Sequence, residues 1–297
     1  MAWKQILIGA LTAAAGVAAG LGVALMLKPD VTTYLVDTIE IDYDGIRNRY
    51  EAVKKKGDLS LLSATDAAQM TFLLFGEEEQ NYSLGVGSSV ASIVTQKITA
   101  RSVKDKTRFF EESNSEGIVN LFDRMYREGD SVKTYWGDDP SYQKQASSPE
   151  TMTADAYREI MGRTPSESLI YVVAPESLSE KNLSGDPETG VSKTEDGLKI
   201  ELELDPAKGV ANYVKQMKTI SNLARYPTFD YCHLTIYTDS NLNLIRFETH
   251  EKYFATTSSG VGSSAEGRLH TVYYHNSLPS YGFPEPDDTL PAFPASV

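Results

Sequence analysis

The sequence predicts an α+β protein, in which an antiparallel β-meander carries packed helices and follows one N-terminal transmembrane helix. Three observations lead to this prediction. Residues 5–27 form an uncharged, mostly apolar run. From Asn81 onward, apolar and polar residues alternate in short runs broken by Gly, Asp and Lys, a pattern typical of antiparallel strands. After Asp205, apolar residues recur at three- and four-residue spacing, which predicts an amphipathic helix that needs a surface such as the sheet to lie on.

The N-terminal run has the length and the flanking charges of a membrane anchor. As a helix, residues 5–27 extend for about 35 Å, enough to span a bilayer core. Lys4 and Lys28 at its two ends suit the headgroup zones. The segment VAA at 17–19 would fit the cleavage site of a signal peptide, but the apolar run continues past it. We therefore predict that residues 1–30 form an uncleaved anchor.

The anchor also sets the expected location of the chain. Resemblance to signal anchors favours an N-terminus in the cytoplasm, so we predict a single-pass cell-membrane protein whose large C-terminal domain is extracytoplasmic. Gly16, Gly20 and Ala24 form a small-xxx-small stripe, which allows helices to pack closely. The stripe is a candidate for self-association of the anchor, although an Ala- and Gly-rich segment also produces such spacing by chance.

Charge and cysteine content exclude several classes of function. The formal net charge is −13, and such a surface repels phosphate backbones, so we expect no nucleic-acid partner. The single cysteine, Cys232, allows neither an intrachain disulfide nor a cysteine-rich zinc cluster.

The exposed part of the chain divides into three regions. Residues 31–63 are expected to form a membrane-proximal linker with a short helix. Residues 64–277 are expected to form the main domain, whose first helix is capped by Ser63 and buried. The turns of its meander are predicted at 104–106 and 128–130. The tail 278–297 has five prolines and no periodicity, which predicts disorder.

The segment from Phe229 to Phe254 predicts a hairpin with one polar and one apolar face. A tight turn around Ser240–Asn241 would pair Thr235 with Arg246, His233 with Glu248, and Tyr231 with His250. The apolar face would then contain Cys232, Leu234, Ile236, Ile245, Phe247 and Thr249.

This hairpin contains the only metal candidates that we single out. His233, Glu248 and His250 would be close neighbours, and two histidines with a carboxylate can bind zinc. The simpler interpretation, which we prefer, is a solvated sheet face without a metal, because no HExxH or similar spacing is present. Cys232 falls on the apolar face, which predicts an inert buried thiol.

Other catalytic or cofactor motifs are missing from the sequence. The segment GVGSSVAS at 85–92 lacks the lysine of a phosphate-binding loop, and neither a GxSxG motif nor a dinucleotide fingerprint occurs. We therefore predict a protein that is not an enzyme and that needs no cofactor.

Three segments carry a resemblance to a known family. They are the capped helix LLSATDAAQMTFLLFGEEE, the strand TRFFEESNS after a basic turn, and the hairpin LTIYTDSNLNLIRFETHEKY. With the order of elements over about 64–275, they resemble the LolA-like and LppX-like envelope lipoproteins. The resemblance implies one strongly curved antiparallel sheet, an unclosed barrel, with helices packed on its concave face. This chain lacks a lipobox cysteine, so we expect the transmembrane helix to replace the lipid anchor.

The resemblance also implies a cavity for acyl chains between sheet and helices. The candidate lining residues are Met70, Phe72, Leu74, Phe75, Val210, Tyr213, Val214 and Met217. A dry, filled core is the alternative role for all eight, since helix stripes are usually core.

The predicted function is that of a membrane-anchored extracytoplasmic protein that binds a lipid, an acyl chain or an envelope partner without catalysis. Two alternatives stay open: a structural envelope protein with a filled core and no ligand, and a hydrolase whose site is assembled from scattered residues.

Overall fold

The computed structural model describes residues 39–91, 94–117, 121–137, 150–161, 169–179, 190–220, 223–256, 260, 262–286 and 288–294. Among these residues, no helix is long and apolar enough to cross a membrane. The predicted anchor, with its stripe of small residues, lies outside the described residues, and so does the first part of the predicted linker.

The described residues include four α-helices: α1 (Tyr43–Lys54), α2 (Ala64–Glu77), α3 (Ala154–Met161) and α4 (Ala211–Ile220). Their starts follow ordinary capping chemistry. The Ser63 hydroxyl accepts a hydrogen bond from the Asp66 amide at 3.1 Å, which confirms the predicted cap of α2. The Thr153 hydroxyl accepts one from the Ala156 amide at 3.1 Å at the start of α3.

The described chain also has two short 3-10 helices, at Leu59–Leu61 and Pro175–Ser177. The remaining regular structure of the described chain is a single sheet of eleven antiparallel strands. The strands are β1 (Gln80–Ala91), β2 (Val94–Asp105), β3 (Arg108–Glu116), β4 (Leu121–Glu128), β5 (Ser131–Gly137), β6 (Glu150–Thr153), β7 (Val191–Lys193), β8 (Leu198–Leu204), β9 (Thr228–Thr238), β10 (Leu244–Thr256) and β11 (Gly262–His275). Their order is β6-β5-β4-β3-β2-β1-β11-β10-β9-β8-β7. The predicted meander is confirmed: the sheet is curved and unclosed, with β1 and β11 joined at its centre.

The helix after Asp205 begins later than the sequence pattern indicates. The Asp205 carboxylate accepts a hydrogen bond from the Ala207 amide at 2.7 Å, and the Gly209 amide donates to the Asp205 carbonyl at 2.8 Å. These bonds close a turn, so the Asp-Pro pair starts a turn and α4 starts only at Ala211. A Cβ at Gly209 would lie 2.7 Å from the Leu204 Cβ, so this turn packs directly on β8.

The β9–β10 hairpin has the predicted faces but a different register. His250 pairs with His233 and Glu248 with Thr235, a shift of two residues from the prediction. The turn is longer than expected because the Asp239 carboxylate accepts hydrogen bonds from the Asn241 and Asn243 amides at 2.7 and 2.9 Å.

An irregularity after Leu244 changes which side chains of this hairpin are buried. Leu242 and Leu244 are buried, whereas Ile245, which we expected on the apolar face, is 41% exposed. The other members of that face are buried as predicted: Cys232, Leu234, Ile236, Phe247 and Thr249.

Two apolar clusters hold the helices on the same face of the sheet, which we call the inner face. The larger one joins α1, α2 and α4 to the half of the sheet formed by β8–β11. The smaller one joins α3 to β3–β5 through Phe109, Met125 and Val132. The short helix of the predicted linker therefore belongs to the core, through Ile46 and Tyr50.

The C-terminal tail differs from the expectation of disorder. Its described part, residues 278–286 and 288–294, which we call the strap, crosses the opposite, outer face of the sheet. Its side chains Leu278, Tyr281, Phe283 and Leu290 pack on Val103, Phe110, Tyr126 and Tyr82. A proline-rich segment cannot form a helix, but it can lie extended across an apolar surface, which its own pattern does not reveal.

Candidate functional site

The centre of the inner face is built from small side chains. Gly85 on β1 pairs with Ala100 on β2, and Ala100 pairs with Ser113 on β3. One step along, Ser83 pairs with Ser102, and their hydroxyls are 2.7 Å apart. Because inward positions alternate along each strand, these residues form one continuous strip across three strands.

Above this strip lies a cavity of about 130 Å³, between the two helix-covered halves of the sheet. Six aromatic side chains line it: Phe75 from α2, Tyr213 from α4, Tyr171, and Phe109, Phe247 and Tyr273 from the sheet. Lys104 and Glu111 add charged groups to the lining. The Phe75 and Tyr273 rings meet edge to face, with centroids 5.0 Å apart. Such walls and a small-residue floor favour a slender apolar guest.

A buried carboxyl supports the cavity wall from behind. Glu251 on β10 is 4% exposed, and it accepts a hydrogen bond from the Tyr213 hydroxyl at 2.9 Å. Burial raises the pKa of Glu251 to about 7, against the opposing effect of this hydrogen bond. The same burial raises the pKa of the neighbouring Cys232 thiol well above its usual range, as expected for an inert thiol.

Only part of the predicted lining reaches the cavity. Phe75 and Tyr213 line it. Met70, Phe72, Val210, Val214 and Met217 are instead buried in the larger apolar cluster, and Leu74 packs against that cluster while partly exposed. The two helices point most of their apolar stripes at β8–β11, where large side chains fill the space.

The predicted histidine cluster lies on the outer face, in a shallow depression of about 400 Å³. Each histidine faces its own carboxylate: His233 and Glu203 at 3.3 Å, His250 and Glu266 at 2.7 Å, and His270 and Glu248 at 3.3 Å. The His233 and His250 ring centroids are 6.0 Å apart. Within the described chain, no group of three or more His, Cys, Asp or Glu side chains is arranged to hold a metal ion. Of the three predicted candidates, Glu248 faces His270.

Sequence reasoning missed the strip and Glu251. A signal for the strip exists in the sequence, since alternate positions of three neighbouring strands carry Gly, Ala and Ser, but it is visible only once the strands are paired. For Glu251, the signal is a carboxylate within the apolar face of β10, between Thr249 and Tyr253, both of which are buried.

Comparison with known proteins gives little support for any family. No family model matches the chain, and no curated protein matches it. Among solved structures, the lipoprotein LppX of Mycobacterium tuberculosis is 8% identical and covers 73% of this chain and 97% of its own, with a TM-score of 0.32. A DUF1329 family protein from Desulfovibrio piger is 13% identical, with coverages of 73% and 93% and a TM-score of 0.25.

A third solved structure is a putative outer membrane lipoprotein-sorting protein domain from Vibrio parahaemolyticus. It is 9% identical, covers 73% of this chain and 94% of its own, and has a TM-score of 0.26. At these TM-scores the likenesses carry no argument about function.

Proposed function

We propose that this protein binds a slender apolar ligand, such as part of an acyl chain, in the cavity of the inner face, without covalent chemistry. The observation that carries the proposal is the strip of Gly85, Ala100 and Ser113, which leaves space beneath aromatic walls where large side chains would otherwise meet the helices. Apolar surface in such a space gains free energy when it leaves water.

The size of the cavity limits what it holds in its present shape. Pockets for drug-sized ligands usually measure about 300–1,000 Å³, whereas an apolar cavity of about 150 Å³ accepts benzene. The 130 Å³ beside Tyr213 therefore accommodates a short stretch of a chain. A longer ligand requires movement of α2, α4 or the segment around Tyr171.

We further propose that the domain works outside the cytoplasm, at a membrane surface. The support is the uncharged run 5–27 between Lys4 and Lys28, which has the length of a spanning helix. In this arrangement the bilayer supplies acyl chains close to the cavity, or an envelope partner delivers them. Self-association through Gly16, Gly20 and Ala24 belongs to the same proposal.

One alternative also has an observation in its favour. All eight predicted lining residues lie in or against packed core, six of them do not reach the cavity, and the cavity is small. These facts suit a structural envelope protein, whose cavity would bind no ligand.

A matched pair of substitutions separates the two functions. Ala100→Leu places a larger side chain on the cavity floor, whereas Thr99→Leu places the same side chain on the outer face of the same strand. Using the full chain in mild detergent and a dansyl-labelled fatty acid, we expect Ala100→Leu to weaken binding by about ten-fold or more and Thr99→Leu to leave it unchanged. A wild-type chain that does not bind the probe favours the structural protein.

A further inference from the structure

The outer face carries a second recognition surface, which is separate from the cavity. We define the outer groove by its apolar floor, Tyr82, Val103, Phe110 and Tyr126, on β1–β4. The strap lies in it and pairs with no strand of the sheet, because the eleven-strand order contains none of its residues. Phe283 meets the edge of Tyr126 with centroids 6.1 Å apart. Side-chain contacts with the groove, rather than β-pairing with a strand, therefore hold the strap, as they could hold a bound peptide.

The groove recognises the strap through its backbone carbonyls. Both terminal nitrogens of Arg101 donate to the Pro291 carbonyl at 3.1 Å. Arg124 donates to the carbonyls of Pro286 and Asp288 at 3.3 and 2.8 Å. Proline has a carbonyl but no N–H, and an extended proline-rich segment exposes its carbonyls to such donors. Recognition of this kind depends on backbone shape, and therefore on the positions of the prolines along the segment.

The charges of the groove restrict its occupant further. Glu112 lies between Arg101 and Arg124, at 3.1 and 2.8 Å, and all three side chains are at most 7% exposed. We call these three residues the charged triad. Two guanidinium groups and one carboxylate leave a net positive charge that is shielded from water, so a neighbouring segment must supply negative or partially negative oxygens. At the margin, Glu285 of the strap lies 3.0 Å from Arg108. The groove therefore suits an acidic segment.

From these contacts we propose that the outer groove is a docking site for an extended, proline-rich, acidic segment of a partner protein, and that the strap occupies it in cis. The tether Asn276–Ser277, between β11 and the strap, keeps the strap at a high effective concentration, so the strap competes with any free peptide. A partner gains access when the strap leaves. This proposal does not depend on what the cavity binds.

The first test loosens the strap and leaves the groove unchanged. The probe is a fluorescein-labelled peptide with the sequence of residues 278–294, and the protein is the full chain in mild detergent. With Phe283→Ala and Leu290→Ala combined in the protein, we expect the probe to bind about ten-fold more tightly than to wild type, and more weakly as salt rises. A scrambled peptide of the same composition is the control and should not bind.

Hydrogen exchange of the strap's own Gly282 and Asp288 amides, which donate to the Pro279 and Glu285 carbonyls at 2.8 and 3.0 Å, shows whether the strap has left in the variant. If these amides become exposed and the probe still does not bind, the groove is not a peptide site and the proposal is wrong. Equal binding of the scrambled peptide would overturn it as well, because the groove would then lack the stated recognition.

A second test covers the case in which the variant keeps its strap. A protease site inserted between Ser277 and Leu278 allows the tether to be cut in the folded full chain. We expect excess labelled probe to replace the cut segment. If the cut segment stays bound and the probe does not replace it, the strap is a permanent part of the fold and the proposal is wrong. Another outcome is that two mass-labelled copies of the protein exchange straps and elute as dimers on gel filtration. The groove would then bind the strap of a second copy, and the proposal of a different partner protein would be wrong.

Discussion

The two faces of the central strands β1–β4 are filled in opposite ways. On the inner face, Gly85, Ala100 and Ser113 leave a cavity of about 130 Å³. On the outer face, Val103 and Phe110 are fully buried beneath the strap. Both sets of residues alternate along the same strands. The comparison shows that a strand face becomes cavity or core according to the segments that cover it, here helices on one side and the C-terminal tail on the other.

The largest effect should come from breaking the charged triad of the outer face. Glu112→Ala leaves Arg101 and Arg124 buried with no carboxylate between them. We expect a loss of about 3–5 kcal/mol in the free energy of unfolding, because uncompensated buried charge is costly. Urea denaturation of the full chain in mild detergent measures it.

The matched control for the triad is Glu285→Ala. The Glu285 carboxylate that it removes pairs with Arg108, but the Glu285 side chain is 59% exposed. An exposed pair of this kind contributes less than about 1 kcal/mol. Equal losses in the two variants would mean that the strap does not desolvate the triad, and the contrast between the two faces would then be lost.

The next effect concerns the inner face and depends on pH. The pKa of Glu251 is about 7 in the folded chain against an ordinary value of 4.5. Folding therefore takes up a proton between these values, so the neutral carboxyl is favourable at low pH and stability falls as pH rises from 4.5 to 7. The difference corresponds to about 3 kcal/mol.

Replacing Glu251 by Gln removes this titration and keeps an oxygen that can accept from Tyr213. We expect Glu251→Gln to be more stable than wild type by about 3 kcal/mol at pH 8, with a much smaller difference at pH 4. Urea midpoints at the two pH values measure it, and the difference between variants cancels the titration of all other groups. A difference that is the same at both pH values would show that Glu251 is not neutral in the fold.

The smallest effect tests the free space directly. Ala100→Leu enlarges a side chain that faces the cavity, so we expect the free energy of unfolding to change by less than about 1 kcal/mol. Val103→Phe enlarges a fully buried side chain on the filled outer face, where overpacking costs about 1–3 kcal/mol. Thermal unfolding of both variants checks the prediction, and similar losses would indicate that the inner face is as full as the outer one.

Much of the fold follows from local chemistry. Ser63 and Thr153 begin helices because their hydroxyls accept amide hydrogens, and the strands follow from alternation. The β9–β10 register was wrong because the Asp239 carboxylate closes a longer turn than the dipeptide Ser240–Asn241 indicates. That bonding depends on a side-chain orientation, which alternation does not encode.

The candidate site was less predictable than the fold. Helical spacing identified the buried faces of α2 and α4 correctly, but it did not show that, of the eight predicted lining residues, only Phe75 and Tyr213 reach the cavity. Cavity residues come from β1, β2 and β3 as well, and their small size has meaning only when the helices are placed above them.

By itself, the sequence determined the elements and their faces, the acidic surface, and the long apolar N-terminal run, because each depends on spacing or composition along the chain. Only the tertiary structure decided that Gly85, Ala100 and Ser113 form one strip, that Glu251 lies buried behind Tyr213, and that the proline-rich strap covers Arg101 and Arg124. Contacts of this kind join residues far apart in the chain, and their free energy depends on three-dimensional proximity and desolvation.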